Sequence, residues 1–378
     1  MSGVKEKFIQ FFPEFNNHLP DDMQDGEDIP SWPDALGQVI LYIHMALFET
    51  YSKYDTISMQ KQRYHKIFAY FAVLFGTTTI MLTIFQVCLR LSLLENENIL
   101  LMDVLYVDYV KYFELVSLSI AVLAVGIAVG SHQHKGWLKK RFLAEQCRSL
   151  KFRALIHPFL WCSSKRSWED RYTQWKERFN EKAALLKEAR EPSIEECIKS
   201  DEINAPPPDI TKCSFEVVYL RSLIDYYQKK RLLAQIAYFK ERAFYFESIN
   251  KSTGWIPNFC FIASVECAAG HFGIELLNST NPSLTFISSI LLLLTLLFPI
   301  FAIGVRTLRS SIEVSRSDAL YQSKRRALEH FNMRLDEELL KEFIQWGEIL
   351  KILWQCENFF ENENREWLRM MNEAEWFI

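Results

Sequence analysis

Three polar side chains within apolar stretches are the best candidates for chemistry in this sequence. Glu266 and His271 stand in the segment 255–277, and Thr78 stands in the segment 67–89. An acidic group at the centre of a bilayer costs about 2.5–3.5 kcal/mol, so it should face protein or water. We therefore treat Glu266, His271 and Thr78 as candidate pore or relay positions. Three structural explanations stay open: a buried, protonated carboxyl at Glu266, a pair between His271 and Glu275, and a Thr78 hydroxyl bonded to its own helix.

Motifs of known enzyme classes do not occur in the sequence. It contains no GxxxxGK[ST], GxGxxG, HExxH or GxSxG pattern and no calcium-binding loop. His132 and His134 are two positions apart, which places them on different faces of a helix. We therefore expect no enzymatic activity, no metal and no cofactor. Eight scattered cysteines without a CxxC pattern indicate free thiols, and the net charge of −4 argues against a nucleic-acid partner.

Small residues recur at a spacing of four in two apolar segments. Gly126 and Gly130 form one GxxxG pattern, and Ala269 and Gly273 repeat the spacing. Gaps of four place small residues on one helix face, where two backbones can approach closely. The pattern predicts span packing at these four residues. It leaves open whether the partner helix belongs to the same chain or to a second copy.

Four apolar segments have the length of membrane spans. They are 67–89, 113–133, 255–277 and 283–305. A helix of 22 residues covers roughly 33 Å, the thickness of a hydrocarbon core. Segments 113–133 and 255–277 are weaker, so a protein with two spans that buries these two segments is the alternative. Residues 35–48 are apolar but too short to span, which predicts a buried or interfacial helix.

Basic residues flank the four segments on one side. They are Lys61, Arg63, Lys66, Lys135, Lys139, Lys140, Arg141, Lys229, Lys230, Arg231, Lys240, Arg242, Arg306, Arg309, Arg325 and Arg326. The connections 91–112 and 278–282 are acidic or neutral apart from Lys111. The positive-inside rule then predicts a multi-pass inner-membrane protein with both termini in the cytoplasm.

The order of basic helix, span, short connection, span and basic helix occurs twice, which predicts an all-α membrane protein built from an internal repeat. The predicted parts are an N-terminal cytoplasmic segment 1–49, repeats 50–190 and 214–355, a proline-rich linker 191–213 and a tail 356–378. Two apolar seams at helical spacing predict long cytoplasmic helices. Their residues are Trp168, Tyr172, Trp175, Phe179 and Leu186, and Leu339, Phe343, Trp346, Leu350 and Leu353.

The helix that follows the second span carries a distinctive pattern. Trp137, Arg141, Ala144, Glu145 and Arg148 form W-x3-R-x2-A-E-x2-R. Arg141 and Glu145 are spaced to pair, and the tryptophan suits a membrane interface. Together with the basic, aromatic helix before the first span, this pattern resembles the SLATT family. The resemblance covers about 50–155 and, more loosely, 225–335.

The SLATT family consists of bacterial two-span proteins associated with nucleotide-signalling conflict systems. The resemblance implies an oligomeric membrane effector that forms or gates a pore, or perturbs the inner membrane, on a cytosolic signal. The expected partners are the lipid bilayer, further copies of the chain, and a cytoplasmic protein or nucleotide trigger. The alternatives are a membrane-anchored scaffold or sensor that binds cytoplasmic proteins, and a small ion channel or transporter.

Overall fold

A computed structural model describes residues 34–95, 101–130, 133–163, 167–188, 193–199, 214–215, 217–277, 282–311, 314–342 and 344–373. The helices are α1 (Asp34–Glu95), α2 (Leu101–Gly130), α3 (Gln133–Leu155), α4 (Pro158–Trp161), α5 (Trp168–Glu188), α6 (Ile194–Lys199), α7 (Val217–Tyr227), α8 (Ala234–Gly254), α9 (Ile256–Leu276), α10 (Pro282–Ser311), α11 (Val314–Leu339) and α12 (Trp346–Glu373). A π-helical turn, Gln228–Leu233, joins α7 to α8. Within these residues, the strands β1 (Cys162–Ser163) and β2 (Ser214–Phe215) form an antiparallel pair.

The chain divides into two compact units that are not consecutive in sequence. The bundle unit takes residues 34–63, 133–242 and 320–373 of the described chain. The span unit takes 64–130 and 243–319. Each unit therefore contains parts of both proposed repeats. The basic helices belong mainly to the bundle unit, and the paired apolar helices belong to the span unit. The internal duplication itself stays a prediction.

Four helical stretches among the described residues are long and apolar enough to cross a membrane. They are Asp34–Val87, Tyr109–Ile127, Tyr219–Leu276 and Phe286–Ser310. The helical fold class is thus confirmed. Each stretch overlaps one predicted span. Pro299 lies inside α10, where its ring removes one backbone donor from the helix.

The core of the bundle unit is apolar and strongly aromatic. The first turns of α1 bury Leu36, Val39, Ile40, Ile43 and Leu47 at helical spacing, so the short apolar run 35–48 is a buried helix. The predicted seam of α5 packs in the same core, with rings stacked along the helix. Within that seam the ring centroids of Trp175 and Phe179 are 5.3 Å apart.

A local signal fixes the start of α6. Ser193 and Glu196 form a reciprocal capping box: Glu196 N–H donates to Ser193 Oγ at 3.1 Å, and Ser193 N–H donates to Glu196 Oε2 at 2.7 Å. This box starts α6 inside the stretch that the sequence suggested was linker, and Ile194 is buried. Residues 200–213 lie outside the described part of the chain.

Two expectations for the C-terminal third need correction. The seam from Leu339 to Leu353 is not one helix, since α11 ends at Leu339 and α12 begins at Trp346; Phe343 lies outside the described residues. The stretch from 356, expected as a tail, continues α12 to Glu373. Cys356 and Phe360 belong to the core, because α12 buries a face at 4-3-4 spacing that starts at Ile349.

Candidate functional site

One face of α9 packs against α10 through polar contacts. Ser264 Oγ donates to the backbone oxygen of Thr295 at 2.8 Å, and His271 Nδ1 lies 2.7 Å from Ser288 Oγ. Cys260 and Ser264 are buried, and a Cβ built at Gly270 would lie 3.1 Å from Leu291 Cδ1. Gly270, one position from the predicted Ala269, therefore lies in the tight contact between the two helices.

The opposite face of α9 is open within the described residues. We call its exposed residues the α9 seam: Phe259, Ile262, Glu266, Ala269, Gly273 and Leu276. Their spacing of 3-4-3-4-3 is the spacing of a helix-to-helix contact. A Cβ built at Gly273 meets no atom within 4 Å. Ala269 and Gly273 are thus exposed rather than packed on α10 within the described residues, and the predicted span packing at these two positions stays a prediction.

The remaining sequence candidates lie in the span unit. His271 Nε2 is 3.4 Å from Glu275 Oε1, the pair that the i, i+4 spacing allows. The Thr78 hydroxyl donates to the Leu74 carbonyl of its own helix at 2.8 Å. A Cβ built at Gly126 meets no described atom within 4 Å. Gly130 is the last residue of α2, and its surroundings lie outside the described part.

A polar cluster between α1 and α2 was missed by the sequence reasoning. Thr83 Oγ1 and Gln86 Nε2 each lie 2.6 Å from one oxygen of the Glu114 carboxyl. One turn further on, Ser117 Oγ donates to the Phe75 carbonyl at 2.8 Å. Gln86 and Ser117 are buried. A signal was present: polar residues at 79, 83 and 86 share one face of α1, and those at 114 and 117 share one face of α2.

The W-x3-R-x2-A-E-x2-R motif lies in the bundle unit, on α3. Arg141 Nη2 is 2.8 Å from Glu145 Oε1, and Arg148 Nη1 is 3.2 Å from Glu145 Oε2. Arg148, which is 1 % exposed, also donates to Tyr51 Oη at 3.0 Å. Burial raises the pKa of Glu145, but four positive charges together hold that pKa below its usual value, those of Arg148, Arg141, Arg231 and Lys324.

Trp137 of this motif is a core residue of the bundle unit, which corrects the expected place at a membrane interface. Its side chain is 6 % exposed, and its ring meets the ring of Trp367 edge-on at 5.8 Å between centroids. The physical reason is that α12 continues past 356 and covers this side of α3. An indole edge packed on a second indole is a favourable arrangement in a protein interior.

A deeply buried ion pair of the bundle unit joins the π-helical turn to α12. Arg231 donates to Glu357 through Nε at 3.0 Å and through Nη2 at 3.2 Å, and Tyr227 Oη donates to the same carboxylate at 2.7 Å. The guanidinium also lies over the rings of Phe152 and Phe360, at 4.8 and 4.1 Å. A π-helical turn displaces one residue from the α-helical register, and such turns are frequent at functional sites.

Burial shifts the pKa values of two further groups in the bundle unit. Burial, followed by the Glu357 charge, raises the pKa of the Cys356 thiol to about 12, so this thiol is unreactive. Burial lowers the pKa of His157 to about 4, with Lys182 and Arg178 acting in the same direction. Geometry agrees with a neutral His157, because its Nδ1 accepts a hydrogen bond from Phe159 N–H at 3.3 Å.

The described residues contain no group of three His, Cys, Asp or Glu side chains placed to hold a metal ion. Comparison of the chain with protein-family models, curated proteins and solved structures finds no match. The resemblance to the SLATT family therefore rests on the motif residues themselves and stays a prediction.

Proposed function

We propose that this chain is a multi-pass inner-membrane effector that self-associates through the α9 seam and forms or gates a conducting path on a cytosolic signal. The observation that carries the proposal is the position of Glu266. It stands midway along α9, on a regularly spaced exposed face, and has no hydrogen-bond or ion-pair partner among the described residues.

The energetic cost of placing the Glu266 carboxyl in hydrocarbon supports a seam that is covered by protein or in contact with water. A carboxylate facing hydrocarbon at the centre of a span is unfavourable by about 2.5–3.5 kcal/mol, and protein or water removes much of that cost. Ala269 and Gly273 continue the same face and allow a second α9 to approach closely. If the α9 seams of several copies of the chain packed together, their Glu266 carboxyls would lie around one axis, where they would attract water and cations.

In this proposal the bundle unit receives the signal. Its core holds charged groups that are individually expensive to bury and therefore have to stay paired, such as Arg231 with Glu357. A cytosolic partner or nucleotide that competes for such a pair would favour a second packing of the helices. In this proposal the bundle holds the spans closed until that trigger binds. Conflict-system signalling is the setting that the motif on α3 suggests, and no catalytic step is involved.

The proposal is tested by adding bulk to the seam. Ala269→Leu should abolish depolarisation of cells that express the full chain with its trigger, and it should abolish cross-linking between copies that carry a single cysteine at Ile262. Phe261→Leu is the matched control, because Phe261 lies on α9, is 64 % exposed and is not part of the seam. Unchanged depolarisation by Ala269→Leu would contradict the proposal.

Replacing the four spans by unrelated spans distinguishes the effector proposal from the scaffold alternative. If four unrelated spans preserve the biological response, the spans act only as an anchor and the bundle unit binds partner proteins. If the response is lost while the bundle unit keeps its helical content by circular dichroism, the spans themselves carry the activity.

A further inference from the structure

Neutral groups from the last turn of α8 hold the guanidinium of Arg309 near the end of α10. Nη1 donates to Asn250 O at 3.3 Å and to Thr253 Oγ1 at 2.9 Å, and Nη2 donates to Asn250 Oδ1 at 2.6 Å. The Thr253 hydroxyl gives its own proton to the Ile249 carbonyl at 2.7 Å, so its oxygen can accept from Arg309. These three contacts fix the plane of the guanidinium.

One edge of this guanidinium has no partner among the described residues. A guanidinium carries five N–H donors, and the three bonds of Arg309 use two on Nη1 and one on Nη2. Nε–H and the second Nη2–H remain, and Nε and Nη2 share an edge that can donate two parallel bonds to one phosphate group. Gly254 permits the close approach on the Nη1 side, since a Cβ there would lie 3.1 Å from Nη1.

The charge of Arg309 has no acidic partner in the part of the chain that the structure describes. No acidic residue occurs on α10 or in the first two turns of α9. On α8, Glu247 Oε1 lies 2.5 Å from Lys251 Nζ, and the charge of Asp318 also acts on that lysine. Arg306, one turn before Arg309, is exposed and adds a second positive charge. This end of α10 therefore favours an anionic ligand.

The position of the two arginines along the candidate span indicates which anion they meet. Arg309 is the last residue but one of the stretch Phe286–Ser310, and Trp255, which follows Gly254, is 56 % exposed. Tryptophan and basic residues are typical of the ends of spans, at the level of the lipid headgroups. The basic flanks predict that this end is cytoplasmic, and the cytoplasmic leaflet carries anionic phospholipids.

We propose that Arg309 and Arg306 bind the phosphodiester group of an anionic phospholipid at the cytoplasmic surface, with Asn250 and Thr253 positioning the Arg309 guanidinium. Arg309 donates through Nε and Nη2 to two phosphate oxygens, and Arg306 contributes charge from the next turn. The inference rests on the membrane location in the proposed function and adds a lipid class to it.

Native mass spectrometry of the full chain in detergent tests the site without any conduction. The protein is titrated with phosphatidylglycerol or with phosphatidylcholine; both contain a phosphodiester, but only phosphatidylglycerol has a net negative charge. We expect tighter binding of phosphatidylglycerol, weakened about tenfold in Arg309→Gln and about fivefold in Arg306→Gln. Arg326→Gln is the matched control, because Arg326 is an exposed arginine of the bundle unit, and it should leave binding unchanged.

Three results would refute the lipid site. They are equal affinities for the two lipids, equal effects of Arg309→Gln and Arg326→Gln, and displacement of phosphatidylglycerol by equimolar inorganic phosphate, which would indicate a site for a free anion. Should Arg309→Gln not fold, Asn250→Asp decides. It keeps the Oδ1 acceptor and adds a charge that compensates Arg309, so phosphatidylglycerol binding should weaken, and unchanged binding would overturn the proposal.

The same measurements separate this inference from the proposed function. If phosphatidylglycerol binds as expected while Ala269→Leu still depolarises cells, the lipid site stands and the seam proposal fails. If the chain does not distinguish the two lipids while Ala269→Leu abolishes depolarisation, the lipid site fails and the seam proposal stands.

Discussion

Removing the carboxylate at position 357 should be among the most damaging single changes in the bundle unit. Glu357 is fully buried and accepts two hydrogen bonds from the Arg231 side chain. In Glu357→Leu the guanidinium, 3 % exposed, keeps its charge inside the core without its principal partner. Breaking a buried pair on one side costs about 3–5 kcal/mol, because the remaining charge is desolvated and uncompensated.

That loss is large against the stability of a whole domain, which is about 5–15 kcal/mol. For a unit of this size each kcal/mol lowers the melting midpoint by about 2–4 °C, so Glu357→Leu should melt roughly 6–20 °C lower. The assay is thermal unfolding of the full chain in detergent, followed by near-UV circular dichroism. The described tryptophans of the bundle unit lie in or beside its core, so they report its packing.

Two comparisons make the reasoning refutable. Glu366→Leu removes one partner of an exposed pair on the same helix, Arg369 with Glu366 at 2.8 Å, and should change the midpoint little. The double variant Arg231→Met with Glu357→Met removes both charges and should recover most of the loss. Equal shifts for Glu357→Leu and Glu366→Leu, or a double variant no better than Glu357→Leu, would refute the assigned role of the pair.

Two further changes give graded tests. A Cβ at Gly304 would lie 2.8 Å from Thr77 Oγ1, so Gly304→Ala should destabilise the span unit by about 1–3 kcal/mol. Adding Thr77→Ala to that variant should recover part of the loss, and Gly76→Ala, where a Cβ meets no described atom within 4 Å, should be neutral. Melting midpoints in detergent that do not follow this ranking would refute the close approach of Gly304 and Thr77. The second change concerns His157, whose pKa is lowered to about 4 in the folded chain from 6.5 when unfolded. Its contribution to the free energy of unfolding is therefore complete above pH 6.5 and is lost as the pH falls toward 4. His157→Asn should flatten that acid dependence of the bundle unit's melting, and an unchanged profile would contradict it.

Local patterns in the sequence predicted the features whose partners are near in the chain. Apolar runs of about 22 residues located the four candidate spans, because length and composition decide whether a helix can cross a bilayer. The i, i+4 spacing of Arg141 and Glu145 predicted their pair, which is present at 2.8 Å. The seam of α5 was predicted by helical periodicity alone.

Features that depend on distant pairing were not predictable in this way. Glu114 finds Thr83 and Gln86 about thirty residues earlier, and Arg231 finds Glu357 in the last helix. The spacing of Ala269 and Gly273 identified a face of small residues on α9. The glycine that packs against α10 is Gly270 instead, because periodicity shows which residues share a face but not which helix that face contacts. The break between α11 and α12 carries no proline, and periodicity continues across it.

The central claim is that four helices cross a membrane with the long polar segments on one side. Its most direct test uses the full chain with other cysteines replaced, carrying either Cys197 or Ser279→Cys, and a membrane-impermeant maleimide on intact cells. We predict labelling of Ser279→Cys in intact cells and of Cys197 only after permeabilisation. Labelling of Cys197 in intact cells, or recovery of the chain in the soluble fraction without detergent, would contradict the account.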